Sequence, residues 1–229
     1  MIKNLLRGTA VLSLILSPLA LPTTASAAPT APEAPAAVVV ALVDAVEQLP
    51  VADESRAGYA RDSFRHWNAG LDTADGGCNT RAEVLLAEAV ESPAVAAGCK
   101  LSGGKWLSYY DGQEVNDPGK LDIDHMVPLA EAWDSGASAW DAQRREAYAN
   151  DQDAATSLVA VTARSNRAKA DRDPAEWMPP LPDANCRYVS EWTATKLRWG
   201  LTVDQAEADA LKVYSEACET SVVHYTPAS

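Results

Sequence analysis

Positive charge is scarce in this chain: 19 lysines and arginines stand against 32 aspartates and glutamates, a net charge of −13. That shortage excludes a protein that grips a polyanion through a broad basic face. It leaves room for a local basic patch and a bound dication, which act at short range under salt screening. Histidine is scarcer still, with three residues, and the four cysteines show no C-x-x-C spacing. A site built on thiolates or several imidazoles therefore lacks its ligands, and zinc-dependent cell-wall hydrolysis goes with it. No apolar run approaches the roughly 20 residues of a membrane-spanning helix. Internal repeats are absent, and past the first fifty residues no second linker breaks the even composition.

The N-terminus is organised as an export signal. Lys3 and Arg7 give a basic start, Val11 to Leu16 a short apolar stretch, and Ala25-Ser26-Ala27 a small-residue cleavage site. Residues 1–27 are expected to be a signal peptide, so the mature protein is secreted and extracellular. Loss of the two cations Lys3 and Arg7 takes the net charge from −13 to −15. Residues 28–52 read as a Pro/Ala-rich linker followed by a short amphipathic helix from Val38 to Leu49, ended by Pro50. A single domain is expected over 53–223, with a tail over 224–229. Four cysteines in an exported chain point to two disulfides with three possible pairings. Cys78 with Cys99 and Cys186 with Cys218, each flanking helical patterns, is the pairing expected. Each bridge contributes about 3 kcal/mol on the chain-entropy picture.

Within the domain, Glu54 to Trp67 reads as helical. Thr80-Arg81-Ala82-Glu83 is a capping box opening a helix to about Val90. Lys105 to Tyr110 and Leu121 to Val127 read as strands. Ser138 to Asp141 caps a helix to Ala149, and Leu158 to Val161 is a short apolar strand. Thr162 can cap a helix carrying Asn166 and Lys169, and Asp173-Pro174-Ala175-Glu176 opens another, with proline at its favoured first position. Helices over 186–199 and 203–217 close the chain. The pattern is that of an α+β, helix-rich single domain, not an alternating βαβ one.

The chemistry concentrates in two stretches. Leu121-Asp122-Ile123-Asp124-His125-Met126-Val127-Pro128-Leu129 supplies Asp124, a hard oxygen donor of the kind magnesium prefers, and His125, a side chain able to act as a base near neutrality. Adjacent strand residues point to opposite faces, so both serve one site only where the strand ends or bends. Ser165-Asn166-Arg167-Ala168-Lys169 follows, with Asn166 and Lys169 three apart on one helix face. Arg164, Arg167 and Arg172 make this the most basic short stretch of an acidic chain. The remaining signals carry less. Asp72 to Gly77 has the glycine of a calcium loop but lacks two of its oxygen donors. His66 and His224 have no ligand spacing, and the seven tryptophans read as packing residues.

The two stretches together, Asp-x-Asp-His-Met-Val-Pro-Leu, then Leu-Val-Ala-Val, then Ser-Asn-Arg-x-Lys-x-Asp, resemble the ββα-metal core of HNH (His-Me finger) endonucleases. More narrowly, the chain is similar to secreted bacterial HNH proteins related to the C-terminal domain of GmrSD-type restriction enzymes. Cys78-Asn79-Thr80-Arg81, Gly104-Lys105-Trp106 and Tyr110-Asp111-Gly112 agree before the motif. Glu131-Ala132-Trp133 and Asp173-Pro174-Ala175-Glu176-Trp177 agree after it. The resemblance implies a metal-dependent endonuclease of low sequence specificity acting on DNA, with RNA as a second substrate. It implies Asp124 and Asn166 as metal ligands, Mg2+ as the ion with Mn2+ as substitute, and His125 as the base. Lys169 would contact phosphate in the catalytic site, while Arg81, Arg145 and Arg167 would bind substrate; Arg81 and Arg145 serve equally well as structural ion-pair partners. The middle asparagine of many relatives is replaced by Thr156 or Ser157, with Asn150 further upstream. The contrasting reading is an inactive secreted binding protein that keeps the fold. Nucleic acid is the expected partner, no membrane is expected after signal cleavage, and a monomer is expected.

Overall fold

The computed structural model describes residues 35–70 and 77–228. The expected leader over 1–27, the start of the linker, and nearly all of the calcium-like stretch from Asp72 lie outside those residues. Strands are β1 (Val38–Ala41), β2 (Ala94–Ala96), β3 (Lys100–Ser102), β4 (Trp106–Ser108), β5 (Gln113–Val115), β6 (Leu121–His125), β7 (Leu158–Thr162) and β8 (Val222–Tyr225). Helices are α1 (Leu42–Glu47), α2 (Thr80–Ala87), α3 (Leu129–Asp134), α4 (Ala142–Ala149), α5 (Ala163–Lys169), α6 (Asn185–Trp199) and α7 (Gln205–Ala217). The strands pair as four antiparallel two-stranded ribbons, β1 with β8, β2 with β3, β4 with β5 and β6 with β7. This is an α+β domain.

Three expectations are corrected. Val38 to Leu49 is not one helix: Val38-Val39-Val40 is β-branched, and β1 pairs with β8 before α1 begins. The domain therefore takes in residues on both sides of the expected 53–223 limits, since His224 and Tyr225 belong to β8. Glu54 to Trp67 holds only a 3-10 turn at Arg61–Ser63. Its backbone is instead tied down by side chains from elsewhere, with Asn150 donating to Arg65 O and accepting from Asn68 N. Asp173 does accept from Ala175 N and Glu176 N, as a cap would, but the chain leaves the turn at Trp177 and no helix follows.

Capping by short polar side chains sets most helix starts. Asn79, Asp141, Thr162 and Asp204 accept from the backbone N–H three residues on. Asn79 thus takes the capping place expected of Thr80. Gly200, at φ 66°, ends α6 in the left-handed conformation that glycine adopts without a Cβ clash.

The β6–β7 ribbon divides the core. Register places Asp124 opposite Val159 and His125 opposite Leu158. Leu121, Ile123, Leu158 and Ala160 form one face, buried with Val84 and Leu85 of α2 and with Trp106 and Val115 of the β4–β5 ribbon. Val159 and Val161 join the larger core with Tyr110, Tyr188 and Trp192 on the other side, where α5 also lies. Both faces of β7 are covered, which is why Leu158 to Val161 is continuously apolar. The disulfides are Cys78–Cys99, joining the start of α2 to the β2–β3 turn, and Cys186–Cys218, joining α6 to the end of α7.

Candidate active site

At its C-terminal end β6 leaves the ribbon through a bend at Met126 and Val127, and a cavity of about 340 Å³ opens there. Asp124, His125, Asn166, Arg167 and Arg61 all line it. The alternation of a strand would send Asp124 and His125 apart, and within the ribbon it does. They meet because α5 closes over the Asp124 face while His125 is the last residue of the strand.

His125 is buried, and its Nε2 lies 2.9 Å from Ala149 O. A carbonyl only accepts, so Nε2 carries the hydrogen and the neutral ring keeps its lone pair on Nδ1. Burial pushes the His125 pKa down to about 3, outweighing the bond to Ala149, with His66 and Arg61 lowering it further. The imidazole is therefore neutral across the physiological range, in the tautomer that can accept a proton at Nδ1. Trp67 stacks on the ring at 5.7 Å and 29°, and His66 meets it edge-on at 6.2 Å.

Asp124 is held from inside. Its Oδ2 accepts from Lys169 Nζ at 2.5 Å and from Tyr110 OH at 2.7 Å. Its Oδ1 takes no hydrogen bond among the described residues and is left as the carboxylate atom available to a cation. Lys169 is fully buried, donates also to His125 O and Met126 O, and lies 5.6–5.8 Å from the ring centres of Tyr110, Tyr188 and Trp192. Burial pushes Asp124 up and Lys169 down from their ordinary values, and the attraction between them opposes both shifts. The expected phosphate contact by Lys169 is thus corrected: the face it shares with Asn166 is the inward face of α5, and all three of its donors are taken.

Asn166 Nδ2 donates to Asp122 Oδ2 at 3.3 Å, which turns the amide oxygen the other way. Asp122 also pairs with Arg167 Nε at 3.6 Å. Arg167 is exposed at the cavity, where the sequence places it. Arg81 and Arg145 are not at this cavity, and of the two roles open to them their contacts are structural. Arg81 Nη2 donates to Pro118 O and Leu121 O, fixing the start of β6, in a separate cavity. Arg145 donates to Ser63 O, Ala137 O and Trp140 O and lies 5.4 Å from the Trp133 ring centre. Buried carbonyls at loop ends need donors, and these two guanidiniums supply them.

The segment 61–68 adds a further wall to the site, with Arg61 lining the cavity and His66 and Trp67 packed on the His125 ring. Arg61 lines the cavity and is exposed, with no ion pair or hydrogen bond from its side chain among the described residues. Phe64, fully buried against Trp133 and Tyr148, anchors the segment. Trp67 adopts φ 61°, a conformation that costs a bulky residue on the order of 1–3 kcal/mol. Asn150 braces this wall: Oδ1 accepts from Asn68 N and Thr80 Oγ1, and Nδ2 donates to Arg65 O and Glu146 O. Nothing local in Arg61-Asp62-Ser63-Phe64-Arg65-His66-Trp67 marks it as site-forming, except that its two arginines and its histidine lie so close together.

The donor set suits one hard divalent cation: a carboxylate oxygen from Asp124 and an amide oxygen from Asn166, with Lys169 fixing the first and Asp122 the second. The other acidic group, Glu54, Glu131 and Glu207, already surrounds a cation, since Lys196 Nζ lies 2.7 Å from Glu131 and Glu207 and 4.0 Å from Glu54.

Residues 81–212 match the family described as GmrSD restriction endonucleases, C-terminal domain. The matched span includes Asp124, His125 and Asn166 but begins after Arg61. The chain is also similar to an uncharacterized secreted protein of Arthroderma benhamiae, at 40% identity over 161 residues, 70% of this chain and 76% of that one. No solved structure matches the chain.

Proposed function

The chain belongs to the family of GmrSD restriction endonuclease C-terminal domains, and from that premise we propose that it is a secreted, divalent-metal-dependent endonuclease of low sequence specificity. Its substrate is the phosphodiester backbone of DNA, with RNA as a second substrate. The observation that carries this reading is the contact of His125 Nε2 with Ala149 O, which leaves Nδ1 as the ring's acceptor, on a residue that lines one cavity with Asp124 and Asn166.

The β6–β7–α5 unit serves as the ββα-metal core. Asp124 and Asn166 would hold the ion, Mg2+ with Mn2+ as substitute, and a dication there supplies charge stabilisation at the departing oxygen. His125 Nδ1 takes a proton from water as its oxygen attacks phosphorus. The bond from phosphorus to the 3′-oxygen breaks, and protonation of that oxygen leaves 5′-phosphate and 3′-hydroxyl ends. Arg61 and Arg167 face the cavity as the cations that meet the phosphate, in place of Lys169. Trp67, stacked on His125, keeps the ring from turning away. Export accords with the two disulfides, which persist in oxidising compartments, and with the similarity to a secreted protein of Arthroderma benhamiae. No helix among the described residues is long and apolar enough to cross a membrane.

The experiment is cleavage of supercoiled plasmid by the purified protein with Mg2+, with Mn2+, and with a chelator. Nicking and smearing in the first two and none in the third is the expected result. An intact plasmid under all three conditions, together with an intact single-stranded oligonucleotide, would favour the non-catalytic reading.

A further inference from the structure

α5 is a ridge between two concavities. On one side Asn166 and Arg167 face the site just described. On the other, Arg164 and Ala168 line a larger cavity of about 700 Å³. Its apolar wall is Trp177 and Met178, both half-buried. Trp177 is held edge-on by Tyr110 at 5.3 Å and by Tyr188 at 5.6 Å, so its ring is a fixed surface. Tyr110 is also the side chain whose hydroxyl holds Asp124, so one residue sets both the candidate metal ligand and this surface.

The rim carries Lys120 and Arg164, both exposed and without an ion pair among the described residues. In a chain of net charge −13, two unpaired cations on one rim are an exception. The two carboxylates of this cavity are already engaged. Asp111 accepts from Thr162 Oγ1 at 2.5 Å and Ser165 Oγ at 2.8 Å, and Glu114 pairs with Lys105 at 3.2 Å. A rigid indole beside a flexible thioether, under a cationic rim, is suited to a planar ring that carries a phosphate on each side.

We infer that this cavity takes a nucleobase of the substrate strand adjacent to the scissile phosphate, which makes unpaired nucleic acid the substrate class. The strand crosses the exposed arginines of α5, its base rests on Trp177 and Met178, and Arg164 and Lys120 hold the flanking phosphates. A base within a duplex is stacked and paired and cannot enter. The inference rests on the nuclease reading above.

The test compares the wild type, Ala168→Trp and the pair Lys120→Glu with Arg164→Glu. Three substrates are used: bis(p-nitrophenyl) phosphate, a mixed-sequence single-stranded oligonucleotide, and the same oligonucleotide as a duplex. Ala168 is exposed, so a bulky side chain there fills the cavity without entering the core. The wild type should prefer the single strand. Ala168→Trp should raise KM for it about tenfold or more, the loss of one stacked base, while hydrolysis of the small diester is kept. The charge-reversed pair should do the same and lower the salt dependence of binding by roughly 0.7 per lost phosphate contact. Unchanged KM for the single strand in both variants, or equal wild-type preference for the duplex, overturns the inference while leaving the nuclease reading intact. A wild type inactive on all three substrates sinks the nuclease reading instead. Fluorescence anisotropy of the labelled single strand then decides the cavity alone: binding that Ala168→Trp weakens supports it, and binding unchanged in that variant overturns it.

Discussion

Lys169 Nζ lies 2.5 Å from Asp124 Oδ2 with both side chains removed from solvent, so the candidate metal ligand and a permanently seated ammonium form one unit. The pair orients the carboxylate: one oxygen is spent inside, and the other is left to the cavity. A lysine that met the substrate would have to be free, and this one is not.

Lys169→Met should therefore act on the fold. Leaving the Asp124 carboxylate buried without its partner costs about 3–5 kcal/mol, readable as a shifted urea midpoint. A variant of wild-type stability with a raised KM would return Lys169 to the role of substrate contact.

His125→Ala should remove the proton acceptor. Cleavage should fall by about 10² to 10⁴, the usual worth of a general base, with the far-UV circular dichroism unchanged. Retained cleavage at the wild-type rate would remove His125 from the mechanism.

Asn166→Ala should move the Mg2+ dependence of cleavage to higher concentration while the rate at saturating metal falls less. Asp122→Ala, which frees the Asn166 amide, should move it in the same direction by a smaller amount. A metal titration identical to the wild type in Asn166→Ala would exclude the amide as a ligand.

The Lys196 cluster predicts a pH dependence of stability. Burial, then the neighbouring Glu131, pushes Glu54 up to about 8, and burial pushes Glu207 up to about 7, against the pull of Lys196. The folded state holds these protons more tightly than the unfolded chain, where glutamate titrates near its ordinary value of 4.5. Their contribution is thus fully present below that value and is lost as pH rises toward 8. Urea unfolding at pH 5 and pH 8.5 should show this loss in the wild type and a smaller one in Glu54→Gln. An equal loss in both would remove Glu54 as its source.

Much of the candidate site was legible in the primary chain because two of its candidate ligands lie on elements with strong local signatures. Thr162 caps α5 from its own sequence, which fixes where Asn166 falls on the helix. Leu158 to Val161 announces β7 by being apolar without alternation. The 61–68 wall was not legible: it has almost no regular structure of its own, and Asn150, Arg145 and Phe64 hold it by contacts about eighty residues away in sequence. Arg81 and Arg145 stayed undecided for a related reason. An arginine that satisfies buried carbonyls and one that meets a phosphate look the same in one dimension.

What the sequence alone determined is the set of local choices: most of the caps, the apolar strands and the order of Asp124, His125 and Asn166. Each depends on residues within a few positions, or on a side chain type that no fold can change. Only tertiary structure decided which ammonium is buried and which arginine is free. It also decided which carbonyl holds His125 and that a second cavity lies across α5. Those outcomes follow from which distant groups compete for the same donor once water is excluded, and that competition exists only in the folded chain.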